Sequence, residues 1–261
     1  MQIDVMGIPT YYETFGDHGD PVLILHGWGM DVSSMLPVIS RLKKFHRVTA
    51  VDFPAHGGTG MPKGNWGVKD FAQWTEAFIK AVGLPPCHVV AHSFGGRVAV
   101  YLAAYKPKLF RDVVLTGSAG LLKPRTFRDR YKSFRYRVNR TLLGALTHIP
   151  PVRERATKWL LAYRDKHNSA DYKALAPEMR GTFTKVVRQD LSDEVKKIPH
   201  QTLLIWGEED TETPMWAARR FHELLQHSSL VVMPGGHFAC ITYPDAFTDY
   251  VLDFFEEKRS V

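Results

Sequence analysis

The sequence predicts an α/β fold, a mostly parallel and doubly wound sheet of about eight strands that carries a helical insertion. Short β-branched runs alternate with helical patterns over residues 1–118 and again over 197–261, which is typical of parallel strands joined by helices. Residues 119–196 show helical patterns and no evident strand. We therefore expect one core formed by 1–118 and 197–261, with a helical cap or lid at 119–196.

The individual elements follow from composition and periodicity. Strands are predicted near residues 10–15, 22–26, 46–52, 88–91, 112–116, 202–206 and 230–233. Helices are predicted near residues 33–44, 68–82, 94–105, 214–226 and 244–257. The helix at 68–82 is the clearest, because its apolar residues recur at steps of three and four and Gly83 ends it.

Length and composition narrow the class of protein. A chain of 261 residues with 44% hydrophobic residues can bury a full core. Its first residues lack the basic and apolar regions of a secretion signal, and no apolar run approaches the roughly 18 residues that span a membrane. Cys87 and Cys240 lie far apart without metal-ligand spacing. We therefore expect a soluble, cytoplasmic protein with structural thiols and no bound metal.

The net charge of +7 comes from a single segment, residues 123–140. This segment holds eight Lys or Arg and one acid, and the rest of the chain is balanced. Its apolar residues form one helical stripe, made of Phe127, Tyr131, Phe134, Val138 and Leu142. We favour an amphipathic cap helix with a solvated basic face.

Two other interpretations of the basic segment stay open. Its cations could attract substrates that carry a carboxylate or a phosphate. Alternatively, the segment could dock on nucleic acid or on an anionic membrane. The rest of the chain argues against docking, because it has no further basic patch and no nucleic-acid motif.

Ser93 is the candidate nucleophile. It follows the predicted strand 88–91 and precedes a helix, which is the strand–turn–helix context of a nucleophile elbow. The familiar signature G-x-S-x-G has glycine where this chain has Ala91, but alanine adds only one methyl group and Gly95 is present. The alternative is that Ser93 only caps an ordinary helix.

A serine nucleophile needs a base, and the base needs an acid that orients it. His237 follows the last predicted strand, so it is expected at the same carboxyl edge of the sheet as Ser93. Asp210 follows strand 202–206 and is the candidate acid. Glu208 and Glu209 are its rivals, and we prefer Asp210 because it lies furthest along the loop.

The loop HGWG supplies the remaining part of the candidate site. The backbone N–H groups of Trp28 and Phe94 are expected to form an oxyanion hole. We expect the side chains of Trp28, Met30, Phe94 and Phe238 to contact the substrate. His26, in the same loop, is expected to hold the loop by hydrogen bonds.

Five motifs, in this order, together resemble those of the α/β-hydrolase fold family. The resemblance is to its branch of small, cofactor-independent serine hydrolases, which are carboxylesterase-like and have a helical cap. The motifs are HGWG at 26–29, DFPAHGGT at 52–59, AHSFGG at 91–96, WGEED at 206–210 and GGHF at 235–238.

The resemblance implies roles for three residues: Ser93 as nucleophile, Asp210 as acid and His237 as base. Branches of the family that act as dehalogenases or epoxide hydrolases carry Asp at the nucleophile position, whereas this chain has Ser. The family usually has Gly where Ala55 stands, in a loop that is structural. No metal or organic cofactor is implied.

These residues predict hydrolysis of a carboxylic ester through an acyl-enzyme, with a small-molecule ester as substrate. The same residues fit thioester or amide cleavage, C–C bond hydrolysis, acyl transfer or perhydrolysis, and the sequence does not separate these reactions. A non-catalytic binding module is disfavoured because all three catalytic positions are filled. Oligomeric state is not predicted.

Overall fold

The computed structural model describes residues 1–123, 127–167 and 175–256. The chain divides into two compact units, one formed by 1–122 with 184–261 and the other by 123–183. The predicted insertion at 119–196 is wider than the second unit at both ends, and its role as a cap stays a prediction. Part of the basic segment, 124–126, lies outside the described residues.

The first unit is built on one eight-stranded sheet, which confirms the predicted fold class. The strands are β1 (Gln2–Val5), β2 (Ile8–Phe15), β3 (Pro21–Leu25), β4 (Arg47–Val51), β5 (Cys87–His92), β6 (Phe110–Thr116), β7 (Thr202–Gly207) and β8 (Ser228–Met233). Their order across the sheet is β1-β2-β4-β3-β5-β6-β7-β8. Only the pairs β1–β2 and β2–β4 are antiparallel, and every other pair is parallel.

Strand β1 was missing from the sequence prediction, and β2 begins earlier than predicted. The two strands form a hairpin in which Val5 pairs with Ile8. Both turn residues between them, Met6 and Gly7, have positive φ, as a two-residue hairpin turn of type I′ requires. Methionine is an unusual residue there, so the sequence carried no recognisable turn signal.

Each individually predicted helix is present among the described α-helices, whereas the short helix Ala239–Thr242 was not predicted. They are α1 (Leu36–Leu42), α2 (Val68–Ala81), α3 (Phe94–Tyr105), α4 (Phe127–Leu146), α5 (Arg153–His167), α6 (Met179–Val187), α7 (Ser192–Val195), α8 (Met215–Leu224), α9 (Ala239–Thr242) and α10 (Pro244–Glu256). The predicted helix near 33–44 is a short 3₁₀ turn followed by α1. None of the described helices is both long enough and apolar enough to cross a membrane.

The core lies on both faces of the sheet, as in a doubly wound fold. Strand β3 is buried along its whole length. Leu23 and Leu25 belong to the apolar cluster that contains α2, α3 and α8, whereas Val22 and Ile24 belong to the cluster that contains α1 and α10. Alternate side chains of a strand point to opposite faces, so an uninterrupted apolar run such as VLIL is what a strand covered on both sides needs.

The first unit holds together the two chain segments that border the second unit. The N–H of Leu191 donates to the carbonyl oxygen of Gly120 at 2.9 Å. Arg97 on α3 is buried and donates from Nη1 to the carbonyl oxygen of Gln189 at 2.8 Å. The chain therefore leaves the sheet after β6 and returns to it at the neighbouring strand β7. We call the two hydrogen-bonded ends of the insertion, at Gly120 and at residues 189–191, the closed neck.

Ala55 and Ala91 occupy two positions where the family pattern has glycine, and we expect them to respond oppositely to Gly. Ala55 has φ of 67°, so Ala55→Gly should raise the free energy of unfolding by about 1 kcal/mol through relief of strain. Ala91 lies inside the buried strand β5, so Ala91→Gly should lower it by about 1 kcal/mol. Urea unfolding of both variants measures the two changes in stability. Two changes of the same sign would contradict the strain assigned to Ala55.

Candidate active site

Ser93 lies in a strained turn between β5 and α3. Its φ of 50° and ψ of −107° fall outside the regions that residues other than glycine ordinarily adopt. Its N–H donates to the carbonyl oxygen of Thr116 on the neighbouring strand β6 at 3.1 Å. Its side chain makes no capping hydrogen bond to α3. This strained backbone geometry is what a nucleophile elbow requires, and the Ser93 side chain does not cap α3.

Gly95 and Gly96, after Ser93, lie where neighbouring segments approach too closely for a Cβ. A Cβ on Gly95 would lie 2.3 Å from the carbonyl oxygen of Leu25, at the end of β3. A Cβ on Gly96 would lie 2.1 Å from the Oγ of Ser118, which follows β6. The first turn of α3 is therefore pressed against the loops that follow both neighbouring strands of β5.

The structure brings Ser93, His237 and Asp210 together at the carboxyl edge of the sheet. Nε2 of His237 lies 2.9 Å from the Oγ of Ser93, and its Nδ1 lies 2.9 Å from Oδ2 of Asp210. His237 and Asp210 are both buried. Since the carboxylate can only accept, Nδ1 carries a proton and donates it, which leaves Nε2 to accept the hydrogen bond from the Ser93 hydroxyl.

Asp210 is held ionised by a set of hydrogen bonds. Its Oδ1 accepts the N–H groups of Glu212 and Thr213 at 2.9 and 2.8 Å. Its Oδ2 accepts the Thr213 hydroxyl at 2.8 Å as well as Nδ1 of His237. Burial by itself would raise the pKa of Asp210, but the hydrogen bonds from His237 and Thr213 outweigh it and hold the pKa below its usual range.

The other acids of this loop are placed differently. Glu208 and Glu209, the rivals of Asp210, have exposed side chains. Their backbone N–H groups donate to the carbonyl oxygens of Met233 and Gly235 and so join the loops after β7 and β8. Glu212, which the sequence analysis did not single out, has an Oε2 that lies 3.7 Å from Nε2 of His237. Its side chain is mostly exposed.

His26 holds the candidate oxyanion loop, as expected from the sequence. Its Nε2 accepts the N–H of Phe53 at 3.0 Å, and its Nδ1 donates to the carbonyl oxygen of Gly27 at 2.7 Å. Burial keeps the ring neutral by lowering the pKa of His26 to about 3. Because C=O and N–H point in opposite directions across a trans peptide, this bond also fixes the direction of the Trp28 N–H.

The second candidate donor, the N–H of Phe94, belongs to the first residue of α3. The first N–H groups of a helix have no partner inside the helix and carry the positive end of its dipole. Trp28 and Phe94 come from neighbouring loops, and their rings meet edge to face with centroids 5.1 Å apart. The loop of Trp28 and the start of α3 are thus neighbours, and the oxyanion hole formed by the two N–H groups stays a prediction.

The four predicted substrate-contacting side chains differ in exposure. Trp28 and Met30 are partly buried, and Phe238 is 45% exposed beside the ring of His237. Phe94 is only 3% exposed because its ring packs into an aromatic cluster with Phe53 and Phe71. The ring of Phe94 therefore offers almost no surface to a substrate, while contact through Trp28, Met30 and Phe238 stays a prediction.

His92 is a residue of the site that the sequence analysis missed. It is fully buried, and its Nε2 donates to the carbonyl oxygen of His237 at 2.9 Å. The two imidazole rings lie 4.9 Å apart. Burial lowers the pKa of His92 to about 4, so the ring is neutral at pH 7. The available signal was its place directly before Ser93, at the end of the apolar run at residues 89–91 of the buried strand β5.

We expect acid to destabilise the fold through His92. Its pKa rises from about 4 in the folded state to the ordinary 6.5 on unfolding, so the unfolded chain binds more protons and stability falls as the pH drops from 6.5 towards 4. The loss at pH 5 is about 2 kcal/mol. Urea unfolding at pH 7 and pH 5 should show a smaller loss for His92→Gln than for the wild type.

The control for this measurement is His227→Gln, which removes an exposed imidazole and should retain the wild-type dependence on pH. Glutamine can still donate to the carbonyl oxygen of His237, so the variant should fold at neutral pH. An unchanged pH dependence in His92→Gln would contradict the prediction.

Within the described ranges, no three His, Cys, Asp or Glu side chains are arranged to hold a metal ion. Cys87 and Cys240 are both buried and free. Burial raises the pKa of each thiol to about 12, so both are protonated and unreactive at neutral pH. They behave as the structural thiols expected from the sequence.

Comparison with known proteins identifies the family of this chain. The profile of the alpha/beta hydrolase fold matches residues 20–244. An uncharacterized hydrolase, YugF, of Bacillus subtilis is 27% identical, and the match covers 96% of this chain and 95% of the relative.

Two further relatives have named substrates. The 2-hydroxy-6-oxo-6-(2'-aminophenyl)hexa-2,4-dienoic acid hydrolase of Metapseudomonas resinovorans is 25% identical over 99% of this chain and 91% of its own length. The pimeloyl-[acyl-carrier protein] methyl ester esterase of Yersinia enterocolitica is 23% identical over 96% and 98%.

The chain belongs to the α/β hydrolase fold family, since the profile match spans most of its length. The three relatives described above are hydrolases, and hydrolase activity is the class of function that they support for this protein. The resemblance inferred from the five sequence motifs is thereby confirmed at the level of the family.

Proposed function

We propose that the protein is a serine hydrolase that cleaves a carboxylic ester through an acyl-enzyme. The observation that supports this most directly is the continuous hydrogen-bonded chain from the Oγ of Ser93 through His237 to Asp210, with both distances at 2.9 Å. A serine hydroxyl alone is a poor nucleophile at neutral pH, and this chain supplies the base and the acid that it needs.

Acylation begins with attack of the Ser93 Oγ on the ester carbonyl carbon. Nε2 of His237 takes the hydroxyl proton as the new C–O bond forms. Asp210 stabilises the resulting imidazolium and keeps Nδ1 protonated. The N–H groups of Trp28 and Phe94 hold the oxyanion of the tetrahedral intermediate.

Collapse of the intermediate breaks the bond to the leaving alcohol. Nε2 of His237 donates its proton to the leaving oxygen, and the acyl group stays on Ser93. A water molecule then attacks the acyl carbonyl while Nε2 takes its proton, and the second tetrahedral intermediate releases the carboxylic acid and restores the serine. In both halves of the reaction, side chains and backbone groups of this chain move the proton and hold the oxyanion.

The strained turn supports the choice of Ser93 as nucleophile. It holds the Oγ at the N-terminus of α3, where the helix dipole favours developing negative charge by an amount on the order of 1 kcal/mol. His92 and His26 would act as positioning residues, because they bond to the carbonyl oxygens of His237 and Gly27. The base and one oxyanion donor are thus each fixed by a neutral imidazole.

A second candidate is hydrolysis of a C–C bond. The relative from Metapseudomonas resinovorans is named for a dienoic acid substrate and is 25% identical to this chain, whereas the relative named as a methyl ester esterase is 23% identical. Thioester or amide cleavage, acyl transfer and perhydrolysis would use the same three residues. Further parts of the proposal are a small-molecule substrate, no cofactor and a cytoplasmic location.

Covalent labelling tests the proposal. A fluorophosphonate should add to the wild type at a 1:1 ratio, and peptide mass spectrometry should place the adduct on Ser93. Ser93→Ala should not be labelled. Ser229→Ala, at an exposed serine of β8, is the matched control and should be labelled like the wild type.

A substrate panel then separates the reactions. Aryl and alkyl esters, thioesters, amides and a vinylogous 1,5-diketone acid should be assayed with the wild type and with Ser93→Ala. We expect the largest Ser93-dependent kcat/KM for an ester. A larger value for the diketone acid would favour the C–C hydrolase, and the absence of any Ser93-dependent turnover would overturn the enzymatic proposal.

A further inference from the structure

Helix α4 exposes a row of apolar side chains. The residues predicted to form an apolar stripe are indeed exposed, with 88% of Phe127, 64% of Tyr131 and 58% of Phe134 accessible to solvent. We call this surface the aromatic face, and it consists of Phe127, Tyr131, Phe134, Val138 and Leu142. Exposed apolar patches that span several helical turns are uncommon on soluble proteins and mark sites of interaction.

The aromatic face is separate from the face of α4 that packs within the second unit. Tyr136 stacks on Tyr163 of α5 with ring centroids 5.4 Å apart, and Nδ2 of Asn139 donates to the Tyr163 hydroxyl at 3.3 Å. At 100° per residue, Tyr136 lies about 160° and Asn139 about 100° from the centre of the aromatic face. Packing against α5 therefore leaves the aromatic face uncovered.

Arginines border the aromatic face along both sides. The same helical spacing places Arg128 and Arg135 on one side and Arg137 on the other, and all three side chains are exposed. Both characters meet at a shallow, open surface depression lined by Phe134, Arg137, Val138, Thr141 and Leu142, all on α4. The segment 123–140 contains a single acid and accounts for the whole net charge of the protein.

We propose that α4 docks the protein on the surface of an anionic lipid bilayer. A helix whose aromatic and aliphatic residues are flanked by cations lies in the interface, with the apolar side chains among the acyl chains and the cations at the headgroups. Anionic headgroups complement the excess positive charge. A nucleic acid would satisfy the arginines but would leave the five apolar side chains of the aromatic face in water.

This proposal goes beyond ester hydrolysis and does not depend on it. It concerns where the protein acts, and its measurement is binding rather than turnover. The bilayer is chosen over a soluble anionic ligand because the aromatic face extends along about four turns of α4, further than one small molecule would cover. The two features required of an interfacial helix, an apolar face and a bordering row of cations, occur on the same element.

Vesicle co-sedimentation tests the proposal with the whole chain of 261 residues. Vesicles of phosphatidylcholine alone are compared with vesicles in which one third of the lipid is phosphatidylserine. We expect the protein to sediment with the anionic vesicles and to stay in solution with the neutral ones. Molar salt should weaken binding, because the electrostatic part is screened within about 3 Å at that concentration.

Two variants separate the two components of binding. Arg135→Gln/Arg137→Gln should bind anionic vesicles about thirtyfold more weakly, since each cation near an anionic surface contributes about fivefold. Phe127→Ser/Phe134→Ser should lose about tenfold or more while keeping the charge. All four positions are exposed, and circular dichroism with thermal unfolding verifies that each variant folds.

The matched control is Lys63→Gln/Lys69→Gln, which removes two exposed cations of the first unit and should change binding by less than about threefold. A loss of binding as large as that of the arginine variant would mean that binding depends on net charge alone. It would overturn the assignment of α4 as the docking face. Undiminished binding by Phe127→Ser/Phe134→Ser would do the same and would favour a polyanion such as single-stranded DNA. Failure of the wild type to bind anionic vesicles at low salt refutes the proposal.

Self-association is the remaining alternative occupant of the aromatic face. Analytical ultracentrifugation of the wild type and of Phe127→Ser/Phe134→Ser measures it directly. We expect the same monomer mass for both proteins. A wild-type dimer that the serine variant converts to a monomer would assign the aromatic face to a second copy of the chain and overturn the proposal.

Discussion

Asp210→Asn is expected to lower kcat/KM for the best ester substrate by about 10⁴-fold with little change in fold. The reason lies in the four hydrogen bonds that Asp210 accepts. In the variant, the amide oxygen has to face the N–H groups of Glu212 and Thr213, because an amide NH₂ there would oppose two donors. The NH₂ group then faces Nδ1 of His237, which must give up its proton. Nε2 becomes protonated and cannot accept the proton of Ser93.

Matched variants on the same loop make this result specific. Glu208→Gln and Glu209→Gln remove exposed carboxylates that have no role in the proposed relay, and each should change kcat/KM by less than about threefold. The wild-type and Asp210→Asn proteins should bind a non-hydrolysable substrate analogue with similar affinity, so the loss appears in kcat. A loss of 10³-fold or more in Glu209→Gln would identify the wrong acid and contradict the assignment of Asp210.

Gly95→Ala is expected to destabilise the protein by about 3 kcal/mol or more. The added Cβ would meet the carbonyl oxygens of Leu25 and His26 at 2.3 and 2.7 Å. Backbone atoms of a buried strand end cannot rotate away as a side chain would, so α3 has to shift from β3 and take Ser93 with it. Urea unfolding measures the loss of stability, and fluorophosphonate labelling measures the loss of the nucleophile.

Gly144→Ala is the matched control for this substitution, since it is the same change inside a helix. A Cβ on Gly144 of α4 meets no atom within 4 Å. The variant should be more stable by up to about 1 kcal/mol, because alanine restricts the unfolded chain and favours the helix. Gly95→Ala and Gly144→Ala should therefore change the free energy of unfolding in opposite directions. Destabilisation of similar size in both variants would contradict the role of close packing at Gly95.

The sheet and the candidate site were largely predictable because both are encoded in local patterns. Buried parallel strands need continuous apolar runs, and VLIL in β3 is such a run. The carboxyl ends of parallel strands meet at one edge, so the polar residues after β5, β7 and β8 had to converge there. The order of these residues along the chain, together with glycines at tight turns, carried the rest of the prediction.

The features that were missed depend on contacts distant in sequence. The strand β1 is four residues long and half-exposed, which leaves no periodic signal. The hydrogen bond of His92 joins residues 145 positions apart, and nothing near His92 indicates its partner. Phe94 was expected to contact substrate, but its position after the nucleophile does not reveal that its ring points into the core. Glu212 became notable only through its distance from His237.

The closed neck between β6 and β7 affects how the inserted segment can change in length during evolution. Leu191 and Gly120 are joined by a hydrogen bond within the first unit, so the ends of the insertion are brought together by the sheet itself. The entropy of closing that loop grows only slowly with its length. The segment between the two ends can therefore lengthen, shorten or be exchanged as one block, while Ser93, encoded before it, and Asp210 and His237, encoded after it, keep their places. The neck thus allows the inserted segment to vary in length and sequence independently of the residues of the candidate site.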